Sequence, residues 1–350
     1  MKHVVVGLSG GVDSSVAAAL LKQDGYEVTG VYMKNWTQDV AGVACPWQEE
    51  LRDARAVAAR LDIPFRVYDF EAEYRGRVVE YLVREYQAGR TPNPDIMCNQ
   101  EVKFKLFLEA ALRDGAELVA TGHYAQVRDG RLWRSADSVK DQTYFLYRVR
   151  REALERTLFP IGAYTKPQVR RLAARFGLPT AAKKDSQGLC FVGPVGMKAF
   201  LRHYIAPAPG PIVLAGRVIG QHDGAVFYTI GQRQGLGVGG GRPLYVTGKD
   251  MATNTVYVTD DANDPQLSSK RLQLTDVCWI DAVPEAGRHY QVRVRHRGEL
   301  IDCRFEHDGY VQLARPAKAL AAGQSAVLYD GDKVLGGGVI KAVAPATISL

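Results

Sequence analysis

The chain has 350 residues, 46% of them hydrophobic and 24% charged, with a formal net charge of +7 and an isoelectric point near 9.1. That length exceeds what one compact core usually serves and predicts two or three domains, while the composition excludes a disordered or low-complexity chain. No run approaches the roughly 20 apolar residues of a membrane span, and the start lacks the features of a secretory signal, so a cytoplasmic protein with no membrane partner is expected.

The first part alternates strands and helices. A run of valines over 2–8 reads as a strand buried on both faces. A helix is expected over 14–23, a strand over 27–33, a helix over 48–61, a strand over 65–70 and a long amphipathic helix over 73–88. A helix over 101–113 and a strand over 117–121 come next. Repeated βα units predict an α/β fold with a doubly wound parallel sheet, whose ligands sit at the carboxyl ends of the strands. Residues 125–149 are less regular, and a helix over 167–176 stops at Gly177. The string Ala206-Pro207-Ala208-Pro209-Gly210-Pro211 reads as a linker. Beyond it, short Val-, Tyr- and Ile-rich runs separated by Gly, Asp and Asn predict two small, mainly β domains, the last an antiparallel barrel. The expected division is 1–205, 206–265 and 266–350.

The strongest motif is Ser9-Gly10-Gly11-Val12-Asp13-Ser14-Ser15, between the first strand and the first helix. Glycines let the backbone turn tightly and approach a ligand, and the helix start offers free N–H groups and a positive dipole end to an anion. Asp13 is a candidate ligand for a magnesium ion bridging phosphates, with no dedicated metal site otherwise expected. No G-K-[ST] is present, so this is not a Walker loop. It resembles the pyrophosphate loop of the PP-loop superfamily of adenine-nucleotide α-hydrolases, which cleave ATP to AMP and pyrophosphate while adenylating a carbonyl oxygen. A plain glycine turn capping a helix is the alternative. Met33, at the end of the second strand, is a candidate for the adenine face, and Gly122 for the same crevice. Gly235-Leu236-Gly237-Val238-Gly239-Gly240 matches G-x-G-x-x-G but no helix is expected after it, so it reads as a loop.

The five cysteines, Cys45, Cys98, Cys190, Cys278 and Cys303, form no C-x-x-C pair, which argues against a disulfide framework or a zinc ribbon. Cys98 lies in Asn93-Pro94-Asp95-Ile96-Met97-Cys98-Asn99, just ahead of the helix expected from 101. A helix start stabilises a thiolate, so a lowered pKa is expected there, with Asp95 a candidate acid/base partner. Cys190 lies in Lys183-Lys184-Asp185-Ser186-Gln187-Gly188-Leu189-Cys190, where two lysines predict an electropositive loop. Buried packing is the alternative for each.

Taken together, the phosphate loop, Tyr32-Met33-Lys34-Asn35-Trp36, the Asn93–Asn99 string, Thr121-Gly122-His123-Tyr124, Lys140-Asp141-Gln142-Thr143-Tyr144-Phe145-Leu146 and Ser186-Gln187-Gly188-Leu189-Cys190-Phe191 resemble the tRNA-specific 2-thiouridylase family. The resemblance continues through Tyr228-Thr229-Ile230-Gly231-Gln232-Arg233 and Leu335-Gly336-Gly337-Gly338, and covers essentially the whole chain. It implies ATP binding by Gly7, Leu8, Ser9, Gly10, Gly11, Val12, Asp13, Ser14, Met33 and Gly122. It implies that Asn93, Pro94 and Asp95 meet the target uridine, that Cys98 is the nucleophile and that Cys190 carries sulfur as a persulfide. Contacts with tRNA are implied for His123, Lys140, Asp141, Gln142, Arg295, His296 and Gln324. The implied substrate is the wobble uridine of tRNAs for Lys, Glu and Gln, and the implied sulfur donor is a cysteine desulfurase or a relay protein. Cys45, Cys278 and Cys303 match no family motif and read as structural.

The chemistry fits these parts. Adenylation converts the uracil C2 oxygen into a good leaving group, AMP, and a low-pKa cysteine then provides sulfur. A loop base is readily turned into such a pocket. In Gln291-Val292-Arg293-Val294-Arg295-His296-Arg297, strand alternation predicts Arg293, Arg295 and Arg297 on one face, as a phosphate-contacting row or a solvated one. Two other readings remain: a PP-loop enzyme with an amine acceptor, such as an amidating synthetase or a tRNA lysidine synthetase, and an RNA-binding protein whose nucleotide loop is regulatory.

Overall fold

The computed structural model describes residues 1–184, 192, 196–239 and 241–344. Its first part is a five-stranded parallel sheet in the order β3-β2-β1-β4-β7. The strands are β1 (His3–Gly7), β2 (Glu27–Lys34), β3 (Phe65–Asp69), β4 (Leu118–Ala120) and, further along the chain, β7 (Thr157–Leu158). The valine run makes β1 central because both faces are covered. Val5 packs with Val31, Phe107 and Val119 on one face, whereas Val4 and Val6 pack with Ala18, Leu21 and Val57 on the other. The helices α1 (Val12–Gln23) and α2 (Trp47–Leu61) cover that second face. The sheet order reverses between β1 and β4, which makes the carboxyl ends of these two strands the expected ligand crevice.

The opposite face is covered by helical segments that include two wide-turn stretches, Arg75–Val79 and Cys98–Leu106. The first interrupts the long helix expected over 73–88, which runs as Glu71–Tyr74, Arg75–Val79 and Glu80–Gln87. Within the second, Phe104 leaves helical geometry (φ −110°, ψ 15°). Wide turns of this kind inside helices concentrate at functional sites.

The irregular stretch holds a hairpin, β5 (Gln126–Arg128) and β6 (Arg131–Trp133). Beyond the linker, β8 (Gly210–Leu214), β9 (Arg217–His222), β10 (Tyr245–Asp250) and β11 (Thr255–Thr259) form a four-stranded sheet in the order β10-β11-β8-β9. The last part comprises β12 (Ser268–Trp279), β13 (His289–Arg293), β14 (Ile301–Phe305), β15 (Tyr310–Lys318), β16 (Ser325–Asp330) and β17 (Lys333–Ala344). These strands adopt the order β12-β15-β14-β13-β16-β17, and β17 pairs back onto β12, closing the expected barrel. The hairpin from the first part extends this sheet through the pair Lys333–Trp133. Among the described residues, no helix is long and apolar enough to cross a membrane.

Candidate active site

The phosphate loop leaves β1 at Gly7 and enters α1 at Val12, two residues earlier than the sequence suggests. Gly10 has φ +72°, and a Cβ there would collide with the Glu50 carbonyl oxygen, so the turn and its approach to α2 both require glycine. Gly11 caps α1 without any side-chain hydrogen bond, which leaves the first helical N–H groups directed at the crevice. Ser14 Oγ donates to Gly11 O (3.1 Å) and accepts from Ser9 N (3.2 Å), and Ser15 Oγ donates to Gly11 O (2.7 Å), which fixes the loop's shape. Ser9 is exposed and Asp13 half-buried at its mouth. Met33 packs on the floor, its Cε 2.8 Å from where a Cβ on Gly7 would be.

Asp13 is already engaged. Lys166 Nζ, on the first turn of the helix Lys166–Arg175, donates to both carboxylate oxygens at 2.8 Å, and the Tyr124 hydroxyl donates at 2.9 Å. The sequence motifs do not reveal Lys166, which is 153 residues from its partner. A lysine on an ordinary surface-helix pattern carries no signal of such a contact.

The turn after β4 joins the loop to the cysteine segment. A Cβ on Gly122 would lie 2.5 Å from Ser14 N and 2.6 Å from Asp13 C, so only glycine lets this turn lie against the start of α1. The next residue, His123, is buried between Phe104 and Phe159, with ring centroids 5.7 Å and 5.9 Å away, and Thr121 Oγ1 lies 2.7 Å from its Nδ1. Phe104 belongs to the wide-turn stretch that starts at Cys98. The turn 121–124 therefore touches the phosphate loop with one residue and the cysteine segment with the next.

Two local expectations for Cys98 are corrected. The helix begins at Pro94, with Asn93 as its cap accepting from Asp95 N at 3.0 Å, so Cys98 stands a full turn inside rather than ahead of the helix. Proline at the first helical position and an Asx cap start the helix earlier than the apolar pattern indicates. The thiol is also 4% exposed, and burial pushes its pKa up; the Lys103 charge pulls it back, Asp95 adds to the rise, and a hydrogen bond from Tyr74 opposes it. Burial likewise raises the Asp95 carboxyl against the pull of Lys103. Burial first, and then Lys103, holds His123 well below the usual imidazole value. Lys103 is thus the cation common to Asp95, Cys98 and His123, and no motif in the sequence points to it. Cys190 lies outside the described residues.

The residues that resemblance linked to tRNA divide sharply. Lys140 and Gln142 are half-buried, and Gln142 Oε1 accepts from Tyr124 N at 2.9 Å. Asp141 is not on the surface: its side chain is 0% exposed and paired at 2.8 Å with Arg293, itself 6% exposed. Asp141 also accepts from Thr143 Oγ1 at 3.0 Å. Arg293 therefore points into the joint between the barrel and the first domain, and the expected row of three arginines is broken. The strand ends at Arg293, leaving Arg295 and Arg297 exposed beyond it, the latter with φ +58°. The alternation rule fails because the strand stops where the row should continue. His296 packs on Phe145 (centroids 4.3 Å apart), and burial, with Arg297 and Arg293 nearby, lowers its pKa to about 4. Gln324 Nε2 donates to Thr91 O at 2.8 Å. Of the remaining cysteines, Cys303 is buried in the barrel core, where desolvation raises its thiol to about 12.

Comparison with known proteins adds three matched regions. Residues 2–194 match the tRNA methyl transferase HUP domain, 198–260 the tRNA methyl transferase PRC-barrel domain and 269–340 the aminomethyltransferase beta-barrel domain. Over nearly its full length the chain is similar to proteins named tRNA-specific 2-thiouridylase MnmA. That of Verminephrobacter eiseniae is 50% identical, covering 97% of this chain and 98% of that protein. That of Nitrosomonas eutropha is 48% identical over the same shares, and that of Neisseria meningitidis is 47% identical, covering 97% and 95%.

Proposed function

This chain belongs to the tRNA-specific 2-thiouridylase family, and from that premise we propose how its residues replace the C2 oxygen of a tRNA uridine by sulfur at the expense of ATP. The observation that carries the reading is the 121–124 turn. It abuts the phosphate loop through Gly122 and the cysteine segment through His123, so an activated carbonyl and a sulfur nucleophile can share one crevice. An amine-accepting PP-loop enzyme would have no use for Cys98 beside Asp95 and Lys103.

In this reading, residues 7–14 hold the nucleotide phosphates on the start of α1, with Met33 and Gly122 lining the adenosine side. A magnesium ion carried with ATP would be held by Asp13 and would supply charge neutralisation at the phosphates. Lys166, which holds that carboxylate at 2.8 Å, adds a positive charge beside the same loop. The uracil C2 oxygen attacks the α-phosphorus and pyrophosphate leaves. A persulfide on Cys190, loaded by a desulfurase or relay protein, attacks C2, and AMP departs with the C–O bond. Cys98 thiolate then attacks the Cys190 sulfur. The S–S bond to the substrate sulfur breaks, the thiouridine is freed, and a Cys98–Cys190 disulfide remains for a reductant to reopen. Asp95, with its carboxyl pKa raised by burial, is suited to accept the Cys98 proton, and Lys103 stabilises the resulting thiolate.

Asn93, Pro94 and Asp95 frame the target base, while Lys140, Gln142, Arg295 and their neighbours contact the tRNA around it. We propose the wobble uridine of tRNAs for Lys, Glu and Gln as the target, the divisions 1–205, 206–265 and 266–350 as the working domains, and the cytoplasm as the place of action.

The test is nucleoside mass spectrometry on unmodified tRNA incubated with the protein, magnesium, ATP, and a cysteine desulfurase with cysteine as the persulfide donor. A 2-thiouridine peak that requires ATP is expected. AMP and pyrophosphate without thiolated base would move the acceptor elsewhere in the superfamily.

A further inference from the structure

The segment that carries Asp95 and Cys98 is not held by its own domain alone. Thr91, two residues before the helix cap Asn93, is buried and paired on both sides of its backbone with the barrel. Its N–H donates to Ala322 O at 2.8 Å, and its carbonyl accepts from Gln324 Nε2 at 2.8 Å. Between these two partners lies Gly323, with φ +93°; a Cβ there would lie 2.7 Å from Thr91 N and 3.0 Å from Arg90 Cβ. The barrel backbone thus comes as close to this residue as a chain without a side chain allows. Gln324 is itself anchored: Ile340 N donates to Gln324 O at 2.7 Å, and Gly323 N donates to Ile340 O at 2.9 Å. The central domain reaches the same residue, with Thr229 Oγ1 3.1 Å from Thr91 Oγ1.

The stretch from Pro92 to Asp95 transmits a position well. Pro92 and Pro94 fix their own φ angles and restrict the residues before them, and the Asn93 cap ties directly to Asp95 N at 3.0 Å. A displacement of Thr91 therefore passes to the Pro94–Met97 turn and to Cys98 with little internal flexibility to absorb it.

We propose that Gln324 is a positioning residue for the nucleophile: it acts through the Thr91 carbonyl to set the Asn93–Cys98 segment, so that the barrel and the reaction centre are one mechanical unit. This deepens the thiolation reading, which it takes as given, and it gives Gln324 an internal partner beside the tRNA contact that family resemblance implies.

The test is made on full-length protein without tRNA, so that it stands apart from the activity. Gln324→Glu keeps the shape but cannot donate to a carbonyl, and Gln324→Leu removes polarity at similar size. Iodoacetamide labelling of Cys98, measured peptide by peptide with mass spectrometry, is expected to speed up by about threefold to tenfold in both variants, the change in local opening expected from losing one neutral hydrogen bond. Thiolation should lose kcat with little change in KM for tRNA. If Cys98 labelling is unchanged in both variants while tRNA binding weakens, the proposal is overturned and Gln324 is a direct tRNA contact. If the wild-type protein thiolates nothing, the thiolation reading fails, but the labelling result still decides the positioning role.

Discussion

The Asp141–Arg293 pair offers the most demanding test of the joint between barrel and catalytic domain. At 2.8 Å and an effective dielectric constant of about 20, the attraction is about 6 kcal/mol. Desolvation of two enclosed ions offsets most of that, so the intact pair contributes little net stability; removing the carboxylate strands Arg293, which costs about 3–5 kcal/mol. Arg293 is poorly placed to recover, because its Nε already has no hydrogen-bond partner among the described residues. Asp141→Asn keeps an acceptor for Arg293 and Thr143, so its cost should fall near the lower end, about 3 kcal/mol. Arg293→Met should cost less than Asp141→Asn, since Arg134 Nε still lies 3.8 Å from the Asp141 carboxylate. The double variant leaves Arg134 as the one affected charge, still paired with Asp332 at 3.1 Å, and should cost less than Asp141→Asn alone. Urea unfolding monitored by tryptophan fluorescence is the assay, since Trp133 and Trp279 lie on strands of the barrel sheet. Additive single costs, or an Asp141→Asn cost below about 1 kcal/mol, the range of exposed pairs, would refute the reasoning.

Lys103→Met removes the charge that lowers the Cys98 thiol, so the pH profile of Cys98 alkylation should move to higher pH, with slower labelling at about pH 8; an unmoved profile would remove Lys103 from the site. Gly122→Val places a side chain where Ser14 N and Asp13 C now lie, and pyrophosphate release from ATP should fall about 100-fold while the protein stays folded. His123 is neutral when folded because its pKa is depressed, so the unfolded chain binds more protons below its ordinary value of 6.5. Stability should therefore fall as pH drops from 6.5 toward about 5, and His123→Gln should flatten that part of a stability-against-pH curve. A slope identical to wild type would mean that His123 is not the group responsible.

The fold and the strand–loop–helix placing of the glycine-rich loop were legible because their signals are local. A valine run buried on both faces, a glycine-rich loop between strand and helix, and short strands between turn residues each report on the chain close to themselves. Contacts that depend on distance along the chain escaped. Lys166 reaches Asp13 across 153 positions, and Arg293 reaches Asp141 across 152. Neither the helical nor the strand period carries that information. The sequence neighbours of Cys98 suggest a lowered pKa; the tertiary burial that raises it is supplied by residues such as Phe104 and Tyr74, which pack into the same core. The arginine row failed for a related reason, since alternation predicts facing only for as long as the strand continues, and β13 stops at Arg293.

The β5–β6 hairpin has a consequence for how this architecture can be recombined. Its strands are contributed by residues 126–133, yet they extend the sheet built from residues beyond 268, and Arg131 on the hairpin reaches Asp281 at 2.8 Å. A chimera cut at the apparent boundary would set one parent's hairpin against the other parent's β17. The natural unit of exchange is the barrel together with this short insert from the catalytic domain, so grafted variants that carry both should fold where those carrying the barrel alone leave a mismatched seam.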